Sequence, residues 1–339
     1  MKDKTAVVIL NFNGKEFLKK FLPGVLQKSP GAKIIVADNG STDDSVSLMK
    51  SEFPQVTLLH QDNNQGFAGG YNWALSQIDA EYYVLLNSDV EVGENWLKPL
   101  TDLMDSDENI AACQPKILSY SQQSQFEYAG ASGGFIDKLG YPFCRGRIFE
   151  TLEPDQGQYN DVSEIFWATG ACMMARSSVF HKLGGLDADF FAHMEEIDFC
   201  WRAKNAGYKI MVQPASSIFH VGGGTLPKSS AQKTYLNFRN NFMLLYKNLP
   251  SNQLNKVLFS RLLLDGLAGL KFLFQGNFQD IIAIINAHFY FYSHLDALRA
   301  KRSQLKQHTV SCVYSKNLVW EYYLNGKKHF SRLNPEKFS

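Results

Sequence analysis

The sequence carries no surplus of either charge: 34 Lys and Arg stand against 33 Asp and Glu. So balanced a chain has no overall field to draw it to a polyanion, which excludes nucleic acid as the expected partner. Cysteine is sparse. Cys113, Cys144, Cys172, Cys200 and Cys312 are scattered, odd in number and never spaced as CxxC, which argues against a disulfide frame or zinc knuckle and for the reduced thiols of a cytoplasmic protein. Neither GxxxxGK[ST] nor a GxGxxG after the first strand is present, so the common phosphate-binding loops are missing. The opening MKDKTAVVILNFNG lacks the long apolar run and small-residue cleavage site of a signal peptide and reads as a first strand. Nor does any apolar run reach the ~20 residues of a membrane span. Val257 to Gln275 is broken by Arg261, Asp265 and Lys271, and Ile281 to Tyr292 is too short.

What is present is an alternation. The β-branched runs TAVVIL (5–10), KIIVAD (33–38), VTLLH (56–60) and YYVLL (82–86) are separated by helical patterns such as KEFLKKFLPGVL and DDSVSLMKSEF. Continuous apolar strands with intervening helices predict an α/β fold, a mainly parallel Rossmann-like sheet with flanking helices on both faces. Each strand ends in polar residues: Asn11 and Asn13, Asp38 and Asn39, Asp62 and Asn64, Asn87 and Asp89. Ligands of open α/β sheets bind at the carboxyl ends of strands, so these side chains predict one crevice. Residues 110–170, rich in Gly and aromatics, read as loops or a small β-region over it, and EEIDFCWRAKNAGYKI reads as a helix capped by Gly207.

From about Tyr235 the pattern turns helical, through YLNFRNNFMLLYKNL, KVLFSRLLLDGLAGLKFLFQ and FQDIIAIINAHFYFYSHLDALRAKR. A chain of 339 residues is long enough for two parts, here a catalytic and ligand-binding domain over 1–230 and a C-terminal helical region over 231–339. That region ends basic, with nine Lys and Arg from Arg299 onward against Glu321 and Glu336 alone. Apolar and aromatic helices followed by a basic tail fit a peripheral contact with an anionic membrane surface. They fit equally a helical subdomain packed on the sheet, or a homodimer contact.

Three stretches carry chemistry. DNGSTDDS (38–45) follows the second strand where a nucleoside would lie, although a turn with a helix N-cap needs the same residue types. NQGFAGGYNWAL (64–75) sets Gly66, Gly69 and Gly70 at a helix start that can approach a pyrophosphate. LLNSDVEV (85–92) ends a buried strand in Asn87, Ser88 and Asp89. An acid there can hold Mg²⁺ or Mn²⁺ against substrate phosphates, with His220 of SSIFHVGGGT as a second ligand.

Taken in order, VVILNFNG, IIVADNGSTDDS, NQGFAGGYNWAL, YYVLLNSDVEV, WATGACMMARSSVFHKLGGLDADFFAHMEEIDFCWRAKNAGY and FHVGGGT resemble the glycosyltransferase family 2 enzymes of the GT-A fold, in particular the bacterial rhamnosyl- and galactofuranosyltransferase branch. The resemblance spans roughly residues 5 to 245. It implies inverting transfer of a sugar from a UDP- or dTDP-linked donor to a hydroxyl of a cell-surface glycan or lipid-linked acceptor, with a divalent cation, at the inner face of the cytoplasmic membrane. It places Asn11 and Asp38 by the nucleoside and Asn64, Gly66, Asn87 and Ser88 beside the donor. It makes Asp89, the last acid of the D-x-D motif, the metal ligand with His220. Trp167, Thr169, Gly170 and Glu195 then line the sugar and acceptor pocket. Two departures stand out: Asn87 replaces the first Asp of D-x-D, and Glu195-Glu196 replaces the usual E-D, which makes the implied base Glu196 one methylene longer than Asp.

Inversion needs one base for the acceptor proton and positive charge at the departing diphosphate. In HMEEIDFCWR (193–202) a helix puts Glu195, Asp198 and Arg202 on one stripe, with Asp198 and Arg202 four apart as a pair. The helix dipole accounts for Glu195 and Asp198. Glu196 instead shares its side with Phe199, Cys200 and Ala203, and an apolar setting raises a carboxylate's pKa and strengthens it as a base. Two other functions remain open. A sugar nucleotidyltransferase would need an early Gly-rich, Arg/Lys-containing loop, where LNFNGKEFL has one Gly and no Arg. A catalytically weak or inactive nucleotide-sugar binder is suggested by Asn87 and by Glu in place of Asp.

Overall fold

A computed structural model describes residues 3–222 and 230–339; Gly223, Gly224 and Thr225 of the FHVGGGT block lie outside them. The first half alternates as the apolar runs predict: β1 (Asp3–Asn11), α1 (Lys15–Lys28), β2 (Lys33–Asn39), α2 (Ser45–Glu52), β3 (Thr57–Gln61), α3 (Gly66–Leu75), β4 (Ala80–Asn87), β5 (Val90–Val92), α4 (Leu97–Ser106) and β6 (Ile110–Ser119). Short strands follow, β7 (Gly134–Asp137), β8 (Pro142–Cys144), β9 (Arg147–Ile148), β10 (Thr151–Leu152) and β11 (Ser163–Ile165). Then come β12 (Cys172–Arg176), α5 (Ser177–Lys182), α6 (Glu195–Asn205) and β13 (Lys209–His220).

The main sheet runs β11-β13-β6-β12-β4-β1-β2-β3, with β5 on β13. Strands β1 to β4 are mutually parallel, as their unbroken apolar runs require. The sheet as a whole is mixed, because β12 enters antiparallel between β4 and β6. That reversal restores the direction of β6, and β13 is parallel to β6. The carboxyl ends of β1, β2, β4 and β13 therefore meet at one edge, which brings His220 to the crevice formed by the first four strands. Two apolar cores cover the two faces, one under α1, α2 and α4 and the other under α3, α5 and α6.

Beyond residue 230 come α7 (Ala231–Asn248), α8 (Ser251–Phe274), α9 (Phe278–Ser293) and α10 (Leu295–Ser303), then β14 (Val313–Tyr314) and α11 (Leu318–Tyr323). Ser230 caps α7 by accepting the Lys233 N–H at 3.2 Å. The tail is not wholly helical. β14 pairs with β7 and completes a second, five-stranded sheet of order β10-β9-β8-β7-β14. Its aromatic cover includes Phe143, Tyr314, Phe330 and Phe338, with Tyr314 and Phe338 centroids 4.9 Å apart. Residues on both sides of position 230 thus share one apolar core.

Candidate active site

At the end of β1, Asn11 is fully buried and lies in register with Asp38. Its amide donates to Asp38 Oδ2 at 2.9 Å and to Ser41 Oγ at 3.1 Å. The other Asp38 oxygen accepts the Ser41 N–H at 3.0 Å and faces His60 Nδ1 at 3.1 Å. Asp38 is 1% exposed, so both residues brace the turn that forms one wall of the crevice. Across from them, Asn39 donates to Asn64 Oδ1 and to the Gly66 carbonyl, both at 3.0 Å. Asn64 Oδ1 also accepts the Gly66 N–H at 2.8 Å. Gly66 has φ +72°, and a Cβ there would meet the Phe191 carbonyl at 2.5 Å, so the start of α3 depends on glycine. Ser88 reaches the same end of the sheet as Asn11: both face the missing Cβ of Gly14. Asn87, half-buried, ends β4 beside them.

Asp89 sits in the turn between β4 and β5, and the pairing of Val90 with His220 sets the two side chains together. His220 Nε2 lies 3.2 Å from Asp89 Oδ1, and Nδ1 lies 3.0 Å from Glu127 Oε2. Burial opposes a charge on this imidazole, yet the carboxylates at its two nitrogens raise its pKa to about 10. Burial likewise opposes the Glu127 carboxylate, and the His220 partner outweighs it and lowers its pKa. The donor set suits a divalent ion that takes the place of the Nε2 proton. Two ligands on adjacent corners of an octahedral ion are separated by about 3 Å, and a carboxylate on Nδ1 is the usual device for presenting Nε2 to a metal. Among the described residues no group of three or more such side chains converges on one point, so such an ion would take two protein ligands here and need substrate oxygens for the rest.

The HMEE segment, taken with the turn that leads into it as residues 189–196, is the most strained part of the crevice. Phe191, His193 and Met194 have φ of 63°, 70° and 74°, each costing roughly 1–2 kcal/mol for a residue with a side chain. The segment also leaves His193 Nε2, Glu195 Oε2 and Glu196 Oε2 buried without a partner among the described residues, a cost of about 1–3 kcal/mol apiece. Burial, with the charge of Lys233, lowers His193 to about 4, so the ring is neutral near pH 7. Glu195 is 4% exposed; burial and then the charge of Glu196 push it well above the usual carboxylate range. Burial raises Glu196 as well, but the N–H groups of Glu196, Ile197, Gly170 and Met194 oppose that rise. Four backbone N–H groups thus face the Glu196 carboxylate, at a helix start that favours the anion.

Asp198 has a different setting from the helix-start role expected for it. It is fully buried, and its carboxylate takes Arg202 Nε at 2.8 Å, Lys247 Nζ at 2.9 Å and Asn248 Nδ2 at 2.8 Å. Burial opposes its charge, and the two cations hold it well below the usual range nonetheless. The pair with Arg202 forms as the spacing predicts, but it ties α6 to α7 rather than lying in solvent. Glu195 is likewise an interior acid. The pocket residues divide in a similar way. Gly170 borders the site, since its N–H faces the Glu196 carboxylate and Phe67 packs where its Cβ would be. Trp167 and Thr169 lie behind it, with the indole N–H donating to the Phe135 carbonyl at 3.0 Å and the Thr169 N–H to Gln114 Oε1 at 3.0 Å.

Three contributors were not singled out from the sequence. Glu127 is one. The others are Arg239 and Asn240 on α7, which hold the strained segment from outside. Asn240 Nδ2 donates to the carbonyls of Phe190, Ala192 and His193 at 3.0, 2.8 and 2.7 Å. Arg239 donates to those of Asp189 and Phe190 at 3.0 and 2.9 Å. The Phe191 carbonyl in turn accepts the Phe67 N–H at 2.7 Å, which fastens the segment to α3.

Comparison with known proteins places this arrangement in a lineage. Agl10 of Haloferax volcanii, a low-salt glycan biosynthesis hexosyltransferase, is 25% identical over 292 residues, covering 84% of this chain and 90% of the relative. An N-acetylglucosaminyl-diphospho-decaprenol L-rhamnosyltransferase of Mycobacterium tuberculosis is 26% identical over 242 residues, covering 65% and 76%. Among solved structures, GalNAc-T7 with UDP, GalNAc and Mn²⁺ superposes with a TM-score of 0.58 at 16% identity, over 74% of this chain and 49% of that one; the likeness is one of fold, the GT-A fold. The family model described as Glycosyl transferase family 2 matches residues 6–184, which is more than half of the sequence, and with the strand-end crevice in place the chain belongs to that family.

Proposed function

We propose that the protein moves a sugar from a UDP- or dTDP-linked donor to a hydroxyl of a glycan or lipid-linked acceptor, with inversion, and that Glu196 is the general base. The observation that carries this reading is the Glu196 carboxylate. It has one oxygen without a partner among the described residues, its charge is favoured by backbone N–H groups at a helix start, and it is held by a strained segment beside the donor loop. Nothing in a purely structural role rewards that combination.

In a single displacement the acceptor hydroxyl attacks the anomeric carbon as Glu196 takes its proton, and the nucleoside diphosphate departs from the opposite face. No covalent bond to the enzyme is needed. Burial and the charge of Glu196 favour the protonated form of Glu195, which can donate a hydrogen bond to a sugar or acceptor oxygen, and neutral His193 offers a second polar contact. The Gly66, Phe67 and Ala68 N–H groups at the start of α3 are taken by Asn64 Oδ1 and the Phe191 carbonyl, so what α3 offers a diphosphate is its helix dipole rather than free N–H groups. Asp89 and His220 would hold a divalent cation, as Mn²⁺ is bound in the GalNAc-T7 structure, and the ion when bound supplies positive charge to the leaving group. A lipid-linked acceptor is favoured by the relative whose acceptor is a diphospho-decaprenol.

Transfer with a panel of UDP-, dTDP- and GDP-sugars in the presence of Mn²⁺ tests this. Glu196→Gln lowers kcat by about 10²- to 10⁴-fold, the range for losing a general base, with donor affinity retained. Glu195→Gln, a mimic of the protonated acid, keeps most of the activity. Turnover by Glu196→Gln at the wild-type rate removes it as the base, and release of nucleoside diphosphate from no donor favours the inactive-binder reading.

A further inference from the structure

The α8–α9 hairpin, outside the crevice, has an inverted polarity. Of its ionisable groups, Arg261, Asp265 and His288 point inward. Arg261 and Asp265 are buried and 3.5 Å apart, and His288 Nε2 lies 3.3 Å from Asp265. The exposed face carries the apolar side chains instead. On α8 these are Phe259, Leu263, Leu267, Leu270 and Phe274; on α9 they are Phe278, Ile282, Ile285, Phe289 and Tyr292. Their spacing of three and four residues makes one continuous stripe on each helix, the pattern of a face meant to be covered. Phe274, at the turn between the helices, is 88% exposed and Phe289 71%. An uncovered row of this length is far beyond the scattered surface apolars of an ordinary monomer.

We propose that this outer face of the α8–α9 hairpin is a lipid-binding surface that seats the enzyme on an anionic bilayer. The charges around it choose the occupant. Every fully exposed charge on α8 and α9 is a lysine, Lys256 and Lys271. Lys271 Nζ lies 5.9 Å from the ring of Tyr323, which joins the hairpin to α11. There Trp320, Tyr323 and Leu324 are exposed, Lys316 and Lys328 are the exposed charges on either side of α11, Glu321 is buried, and among the described residues the exposed Glu150 is the one acid whose charge reaches Tyr323. Amphipathic aromatics and lysines bordering an apolar face match the depth profile of an anionic leaflet, with rings at the headgroups and ammonium groups at the phosphates. No described helix is long and apolar enough to cross a membrane, so the contact is an interfacial one, with α8 lying about 36 Å along the surface. Facing copies of the hairpin would instead bring its lysines towards one another.

The surface bears on the chemistry through α7. Ile282 belongs to the outer stripe and also lines a groove of about 600 Å³ between α7 and α9, with Tyr235 and Tyr290. The ring of Tyr290 lies 4.9 Å from the guanidinium of Arg239, which holds the HMEE segment. A bilayer at the stripe therefore puts lipid at the mouth of a groove next to the base-carrying segment.

Flotation of the full chain with vesicles, without donor or acceptor, tests the proposal, and its failure leaves the catalytic reading untouched. Wild type floats with phosphatidylcholine vesicles containing phosphatidylglycerol and less with phosphatidylcholine alone. Leu267→Glu with Ile285→Glu lowers the bound fraction by about tenfold or more at an unchanged melting temperature. Lys271→Gln with Lys328→Gln weakens binding to the anionic vesicles only. If the glutamate pair proves unstable, Phe274→Ser with Phe278→Ser at the exposed turn gives the same reading. The proposal is overturned if wild type does not float, if both apolar pairs bind undiminished, or if light scattering finds a lipid-excluded dimer that the substitutions split.

Discussion

Asp198→Asn separates two accounts of the acid that the sequence sets beside the catalytic pair. If Asp198 only favoured the start of α6 through the helix dipole, its charge would contribute about 0.3–1 kcal/mol. The structure puts it instead between Arg202 and Lys247, all three nearly inaccessible to solvent. Removing one member of such a cluster strands buried cations, which costs about 3–5 kcal/mol. With an unfolding entropy of ~2.1 cal/mol/K per residue, 339 residues give about 0.7 kcal/mol/K. The interior account then predicts a melting temperature lower by about 4–7 °C, the dipole account about 1 °C or less. Calorimetry at pH 7 distinguishes them. The sign with pH follows from the lowered pKa: the contribution of Asp198 is present above its unfolded value of about 3.9 and is lost as pH falls below it. The gap between wild type and variant therefore narrows towards acid. A loss below about 2 °C at pH 7, or a gap that widens on acidification, refutes the assignment.

Asn240→Ala removes three hydrogen bonds to the HMEE segment without touching substrate; kcat falls on the order of 10²-fold with donor KM little changed, and equal changes in both would show a general folding defect instead. Gly66→Ala forces a left-handed residue and a Cβ against the Phe191 carbonyl, so it lowers stability by about 1–3 kcal/mol and slows transfer, whereas a variant with wild-type melting and turnover would show that α3 and the segment are not tightly joined.

The strands and the crevice were legible because each rests on a local signal. The runs of β1, β2 and β4 are buried on both faces, that of the edge strand β3 only in part, and a polar residue at the end of such a run comes out at the sheet edge. Gly207 ends α6 with φ +89°, as its place after AKNA suggests. What stayed hidden depends on chain distance. Glu127 meets His220 from 93 residues away, and nothing in SQFEYAG marks that glutamate. β14 is two residues long, below the length at which a strand pattern can be seen, and it pairs with β7 across about half the chain. Asn240 did leave a trace, since FRNNFMLL puts amides inside an apolar helix where they need buried partners. The partners themselves are backbone carbonyls, which no sequence pattern displays. Asp198 was misjudged for a related reason: a dipole explanation uses only the residues of its own helix, while Lys247 and Asn248 come from α7.

The limit of the family match falls between two halves of the chemistry. Residues 6–184 contain the crevice walls, the start of α3 and Asp89, whereas Glu196, His220, the α7 clamp and the hairpin all follow. The proposed donor contacts sit at strand ends. The proposed base is built differently. Its helix is tied to α7 through Asp198, Lys247 and Asn248, its preceding segment is held by Asn240, and α9 packs on that same α7. One helix thus couples the residue proposed to take the acceptor proton to the face proposed to meet lipid. A sheet of this kind serves many reactions, so the acceptor is to be sought in what α7 joins together. Changes along α7 should alter which acceptor is used sooner than which nucleotide is bound.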